Sequence, residues 1–106
     1  MIKRVIDLIQ TNLFYKFRFK KIGWKSQINS PLRIDGGSRI SIGNKCVIQW
    51  KTWLAAMPCK EGEAELIIED GCHIGNLNHN YATKSIIIRK NVLTADKVYI
   101  SDNLHG

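Results

Sequence analysis

From Ser30 onward, apolar residues return every six positions. Ile42, Ile48 and Leu54 open successive units. After an interruption the beat resumes at Ile68 and Ile74, slips by two residues near Asn80-Tyr81, and continues at Ala82, Ile88, Thr94 and Ile100. Traced backwards, it predicts units opening at Gly36 and Ser30. The fifth position of each unit is also aliphatic or small: Ile34, Ile40, Cys46, Thr52, Cys72, Asn78, Ile86, Val92, Val98 and Leu104. One straight helix cannot turn positions one and five inward together, but a short strand followed by a sharp turn can. Gly43-Asn44, Gly75-Asn76 and Lys90-Asn91 supply suitable turn residues. A short fixed period of this kind is the signature of a solenoid, whose units bury their apolar sides only against their neighbours. Three units close a triangular coil, and successive coils stack as parallel strands roughly 4.8 Å apart. The expected fold is therefore an all-β solenoid, a parallel β-helix, over residues 30–106.

The segment before it follows another rule. Ile2, Val5, Ile6, Ile9 and Leu13 recur at helical spacing and predict a short amphipathic helix from residue 2 to about 14. Charge changes the picture of this segment. Residues 1–25 hold Lys3, Arg4, Lys16, Arg18, Lys20, Lys21 and Lys25 against Asp7 alone, which is six of the seven excess positive charges. Phe14, Tyr15, Phe17, Phe19 and Trp24 are interleaved with them. Residues 1–29 are thus expected to form a basic N-terminal helix and arm. Three readings fit: a cap over the open end of the solenoid, a contact with an anionic membrane surface, or stacking on single-stranded nucleic acid, the least favoured of the three.

The length of 106 residues sets a ceiling of one domain. No run is long and apolar enough to span a bilayer. The N-terminus lacks the continuous apolar stretch and small-residue cleavage site of a secretory signal. Cys46, Cys59 and Cys72 are odd in number and have no paired metal-ligand spacing. Two of them occupy fifth positions, where a small buried thiol fits. A cytoplasmic location, peripheral at the inner face of the membrane, is the expectation.

Several residues carry candidate chemistry. Trp50 and Trp53 fall at the third and sixth positions of one unit and should face outward, either as an interface or as a platform for a sugar ring. The run Pro58–Glu65 breaks the period and predicts a loop extruded from a corner. His73, His79 and His105 all occupy sixth positions. His73 and His79 are one unit apart and so belong to different corners, which prevents both from reaching one ion within ~2.1 Å. No metal is expected.

Three pieces resemble the hexapeptide-repeat acyltransferases, in particular the O-acetyltransferases that act on sugars and bacterial polysaccharides. They are Ile74-Gly75-Asn76-Leu77-Asn78, Asn91-Val92-Leu93 and Ile100-Ser-Asp-Asn-Leu-His105. The resemblance covers about the last three quarters of the chain. It implies a left-handed coil, against the general right-handed rule for parallel connections. It also implies a homotrimer with active sites between subunits, and acetyl-CoA as co-substrate with a sugar or lipid-linked saccharide as acceptor. His105 matches the family's general base. Asn78, with Asn76, matches its acceptor-side motif, and Trp50 and Trp53 would complete the acceptor site. Four units separate the unit of Asn78 from that of His105, so the two belong to different corners and would meet only across a subunit interface. The family carries further coils after its base, so residues 30–106 are expected to be an incomplete domain. A non-catalytic binding or assembly module with a basic arm is the alternative.

Overall fold

The computed structural model describes Ile2, Val5, Ile6 and residues 18–58 and 62–102. Among the described residues, eleven short strands follow one another: β1 (Lys21–Ile22), β2 (Gln27–Ile28), β3 (Arg33–Asp35), β4 (Ile40–Ile42), β5 (Val47–Ile48), β6 (Trp53–Ala56), β7 (Glu65–Ile68), β8 (His73–Ile74), β9 (His79–Ala82), β10 (Ser85–Ile88) and β11 (Tyr99–Ser101). They form three parallel sheets, ordered β1-β4-β7-β10, β2-β5-β8 and β3-β6-β9-β11. Each strand pairs with the strand one coil away, as in a parallel β-solenoid. An isolated bridge between His73 and Leu93 continues the second sheet into the last coil.

The strands are short because each is a segment between two corners. Within it, alternate side chains go in and out. Ile40 and Ile42 of β4, Leu66 and Ile68 of β7, and Ile48, Ile74 and Leu54 are at most 1% exposed. Ile22, Ile34, Val92 and Ile100 pack against this cluster from its ends. The first positions Ile42, Ile48, Leu54, Ile68, Ile74 and Ile88 and the fifth positions Cys46, Thr52, Cys72, Asn78 and Ile86 are all buried, as the period predicts.

Two features of the period are corrected. The coil is not three hexads. Lys21 pairs with Ser41, Ser41 with Ile67, and Ile67 with Ile87. The register therefore advances by 20 residues, then 26, then 20. Two hexads are followed by a longer third side that adds two residues at the corner between the third and first sheets. The slip near Asn80-Tyr81 is this corner, and it recurs in every coil. The step of 26 contains the loop expected over Pro58–Glu65, although Cys59, Lys60 and Glu61 lie outside the described residues. The second correction is the start. Counting back by sixes from Ile42 misses the longer side, whereas the buried or half-buried residues are Ile22, Ile28 and Ile34. The first stacked coil accordingly opens at Lys21 rather than near Ser30.

The helix expected over residues 2 to about 14 lies mostly outside the described residues; the three of its residues that are described, Ile2, Val5 and Ile6, are helical. Ile2, Val5 and Ile6 are exposed.

Side-chain ladders hold the corners. Asn44 Oδ1 accepts the Trp24 N–H at 2.7 Å, and Asp70 Oδ1 accepts the Asn44 N–H at 2.7 Å. At the next corner Asn76 Oδ1 accepts from Trp50 N (3.0 Å) and Asp96 Oδ1 from Asn76 N (2.8 Å). At the third, Asp102 accepts from the Thr83, Lys84 and Ser85 backbone N–H groups and from the Thr83 hydroxyl. Burial alone would raise the Asp102 pKa. These four donors outweigh it and hold the carboxyl at about 2. Each ladder satisfies turn N–H groups that a tight corner would otherwise leave without partners.

Candidate functional site

The outer face of the third sheet gathers the most chemistry. Its strands put Arg33, Trp53, His79 and Tyr99 in one row across four coils, because Arg33 is in register with Trp53, Trp53 with His79 and His79 with Tyr99. Asp35, Ala55, Tyr81 and Ser101 form the row beside it. In-register parallel strands bring identical strand positions to about 4.8 Å, which is near the stacking distance of aromatic rings. Trp53 lies flat on His79, with ring centroids 4.0 Å apart and 10° between planes. Tyr99 meets His79 edge-on at 4.7 Å, and Tyr81 is edge-on to His79 at 5.8 Å and to Trp53 at 6.3 Å.

The polar groups along this strip are tied down. The Trp53 indole N–H donates to Asp35 at 2.9 Å. The Arg33 guanidinium pairs with the same carboxylate at 2.9 Å and stands 5.1 Å from the centre of the Trp53 ring. His79 differs. Its Nε2 is buried and has no hydrogen-bond partner. Burial also lowers the His79 pKa, which keeps the imidazole neutral near pH 7. A neutral imidazole with a vacant ring nitrogen is a base or a hydrogen-bonding group by its chemistry. The strip was not recognised as a unit in the sequence. Its signal is the spacing of 20, 26 and 20 residues between Arg33, Trp53, His79 and Tyr99, which has meaning only once the coil length is known.

The residues singled out from the sequence are scattered. Trp53 belongs to the strip. Trp50 is exposed at a corner of the prism, and Lys51 Nζ lies 4.8 Å from its ring centre. The two tryptophans of one unit therefore face different directions. Asn76 is a rung of a corner ladder. Asn78 is 1% exposed and faces inward. Its amide donates to Asn76 O (3.1 Å) and Ala95 O (2.7 Å), and its carbonyl accepts from the Thr94 hydroxyl at 2.7 Å. Gripping an acceptor would require Asn78 to leave three internal bonds, so its role within the chain is structural. His73 is on the second sheet, against Gln49 at 2.6 Å, and His79 is on the third. His105 lies outside the described residues. Cys46 and Cys72 are buried free thiols, and burial pushes the Cys46 pKa up. Cys59 lies outside the described residues.

A groove of about 560 Å³ runs along the first sheet beside the extruded loop, lined by Lys20, Arg39, Glu63, Glu65 and Lys84 among others. Its charges are mixed, and it holds none of the residues singled out from the sequence. The aromatic strip, by contrast, concentrates the rings and polar groups able to recognise a ligand. Among the described residues no cluster of His, Cys, Asp and Glu is arranged to hold a metal ion. No family model, no curated protein and no solved structure matches this chain.

Proposed function

We propose that this chain is a left-handed β-helix of the acyltransferase type that transfers an acetyl group from acetyl-CoA to a hydroxyl of a saccharide. The observation that carries the reading is the aromatic strip of Trp53, His79, Tyr81 and Tyr99 on one flat sheet face. Stacked rings flanked by a charged pair, Arg33 and Asp35, suit the apolar C–H face and the hydroxyls of a sugar. The hexad resemblance supplies the reaction class. The saccharide hydroxyl loses its proton to a neutral imidazole, with His105 in that role by resemblance. The oxygen attacks the thioester carbonyl, and the resulting oxyanion needs hydrogen-bond donors. Collapse expels the CoA thiolate, which takes the proton back from the imidazolium. A homotrimer that completes the site between subunits belongs to this reading, and so does a membrane contact through residues 1–25.

The test is release of free CoA thiol from acetyl-CoA in the presence of a panel of mono- and oligosaccharides. Turnover that falls roughly 10²–10⁴-fold in His105→Ala, the usual worth of a general base, supports the enzyme. Trp53→Ala should raise KM for the saccharide more than it lowers kcat.

The second reading is a non-catalytic β-solenoid binding module. It is favoured by one observation, the internal hydrogen bonding of Asn78, which removes the acceptor-side asparagine from use. Saccharide quenching of tryptophan fluorescence that is lost in Trp53→Phe, without any CoA release by the wild type, would select the module over the enzyme.

A further inference from the structure

Two corners of the prism flank the β2-β5-β8 sheet. One stacks Trp24-Lys25, Asn44-Lys45, Asp70-Gly71 and Lys90-Asn91, joined by Lys45 N to Trp24 O, Gly71 N to Asn44 O and Asn91 N to Asp70 O. The other stacks Ser30-Pro31, Trp50-Lys51, Asn76-Leu77 and Asp96-Lys97, joined in the same way. Except in Ser30-Pro31, where Ser30 itself is at 45°, the second residue of these pairs is held at positive φ: Lys25 at 59°, Lys45 at 55°, Gly71 at 73°, Asn91 at 59°, Lys51 at 52°, Leu77 at 57° and Lys97 at 59°.

That backbone region suits Gly and Asn and is costly for a lysine. Gly71 and Asn91 answer the conformational demand. Lys25, Lys45, Lys51 and Lys97 do not, so four strained positions bear a charge that the turn itself disfavours. Beside two of these lysines stand exposed tryptophans, Trp24 at 67% and Trp50 at 46%, each with the lysine ammonium over its ring at 4.4 and 4.8 Å. The carboxylates at these corners, Asp70 and Asp96, are turned to backbone N–H groups of the neighbouring coil. Between the corners, the strands Gln27–Ile28, Val47–Ile48 and His73–Ile74 contain no lysine, arginine, aspartate or glutamate. Leu93 on this face and Leu77 at its edge are exposed.

We infer that this sheet face with its two corners is a docking surface for an anionic lipid bilayer. Lysine charges meet anionic headgroups, and tryptophans rest at headgroup depth beside them. Exposed Leu77 and Leu93 point to lipid, because a nucleic acid or acidic polysaccharide offers aliphatic side chains no apolar layer. The surface shares only Trp24 and Lys25 with the basic arm of residues 1–25 and stands independently of the acyltransferase reading.

The experiment is co-sedimentation of the full chain with phosphatidylglycerol-containing vesicles and with pure phosphatidylcholine vesicles. The variant Lys45→Gly/Lys51→Gly/Lys97→Gly leaves the arm intact and relieves three strained turns. Its binding to the anionic vesicles should fall about a hundredfold, each surface lysine being worth roughly fivefold. Its melting temperature should be equal to or higher than the wild type's, which separates lost binding from lost fold. A second variant, Trp50→Ser/Leu93→Ser, should weaken the binding that persists at high salt. Loss of less than about threefold in the lysine variant would overturn the inference and assign binding to the arm. Equal binding to both vesicle types, or tighter binding to single-stranded DNA or a sulfated polysaccharide than to the anionic vesicles, would overturn it as well.

Discussion

Asn80 offers the sharpest test of how the solenoid core is built. It sits on β9 with its side chain inside the prism, fully buried, and neither its amide nitrogen nor its carbonyl oxygen has a partner. Its neighbours in register are Leu54 on one coil and Ile100 on the next, so the column is otherwise aliphatic. A buried amide without hydrogen bonds costs about 1–3 kcal/mol by protein mutational data. Leu has the same branched skeleton as Asn and replaces both polar atoms with methyl groups. Asn80→Leu should therefore stabilise the fold by about 2 kcal/mol, the middle of that range. For a domain of this size such a gain raises the melting temperature by about 8–16 °C. Asn80→Val, with a shorter side chain, guards against overpacking, which costs about 1–3 kcal/mol where it occurs. Reversible thermal melting followed by far-ultraviolet circular dichroism, with urea unfolding as a second measure, reads the effect. If both variants melt at or below the wild-type temperature, the amide is satisfied inside the core and the reasoning is refuted.

Three further predictions follow from other positions. Burial lowers the His79 pKa below its usual 6.5, so the unfolded chain binds this proton first, and stability should be lost as pH falls below about 6.5. His79→Phe keeps a ring on Trp53, and its stability should fall less over that pH range in urea titrations. The Asp102 carboxyl, held at about 2 against an ordinary 3.8, contributes stability that is full above pH 3.8 and lost as pH falls through about 2. Asp102→Asn presents an amide to donors and should cost about 1–3 kcal/mol near neutral pH, with a shallower acid transition by circular dichroism. Gly36 has φ of 68°, and an added Cβ would lie 2.2 Å from the Ala56 carbonyl oxygen, whereas at Gly71, with φ of 73°, it would meet the end of the Asn91 side chain, Oδ1, at the same distance. Gly71→Ala should cost about 1–2 kcal/mol, the left-handed penalty alone. Gly36→Ala should cost clearly more by chemical denaturation, because a backbone carbonyl cannot move aside.

Chain-local order was readable in advance. Ile42, Ile48 and Leu54, and then Ile68 and Ile74, announce an inward side chain every six residues, and Cys46, Thr52, Cys72 and Asn78 announce the second inward position. Whether a side chain points into the prism or out of it depends on a few neighbouring backbone angles, and the local alternation of apolar and polar residues records that choice. From it came the solenoid, the parallel strands, the extruded loop and the outward direction of Trp53. The first coil stayed hidden because counting by sixes from Ile42 lands on Gly36 and Ser30, two residues away from Ile34 and Ile28.

Contacts between coils were decided only by the tertiary structure. Which residues stack depends on the full circumference of the coil, and a two-residue corner or a longer loop shifts every partner beyond it. Arg33, Trp53, His79 and Tyr99 become one row because their separations of 20, 26 and 20 residues match the coil with and without its loop. The same sum put Asn78 beneath Thr94 and Ala95, where its amide is consumed in holding coils together. It aligned Trp24 with Asn44 and Trp50 with Asn76, leaving the neighbouring lysines at strained corners. Periodicity along the chain records the direction of each side chain, but it carries no record of the neighbour a whole coil away, which is set by the summed lengths of three sides and their corners.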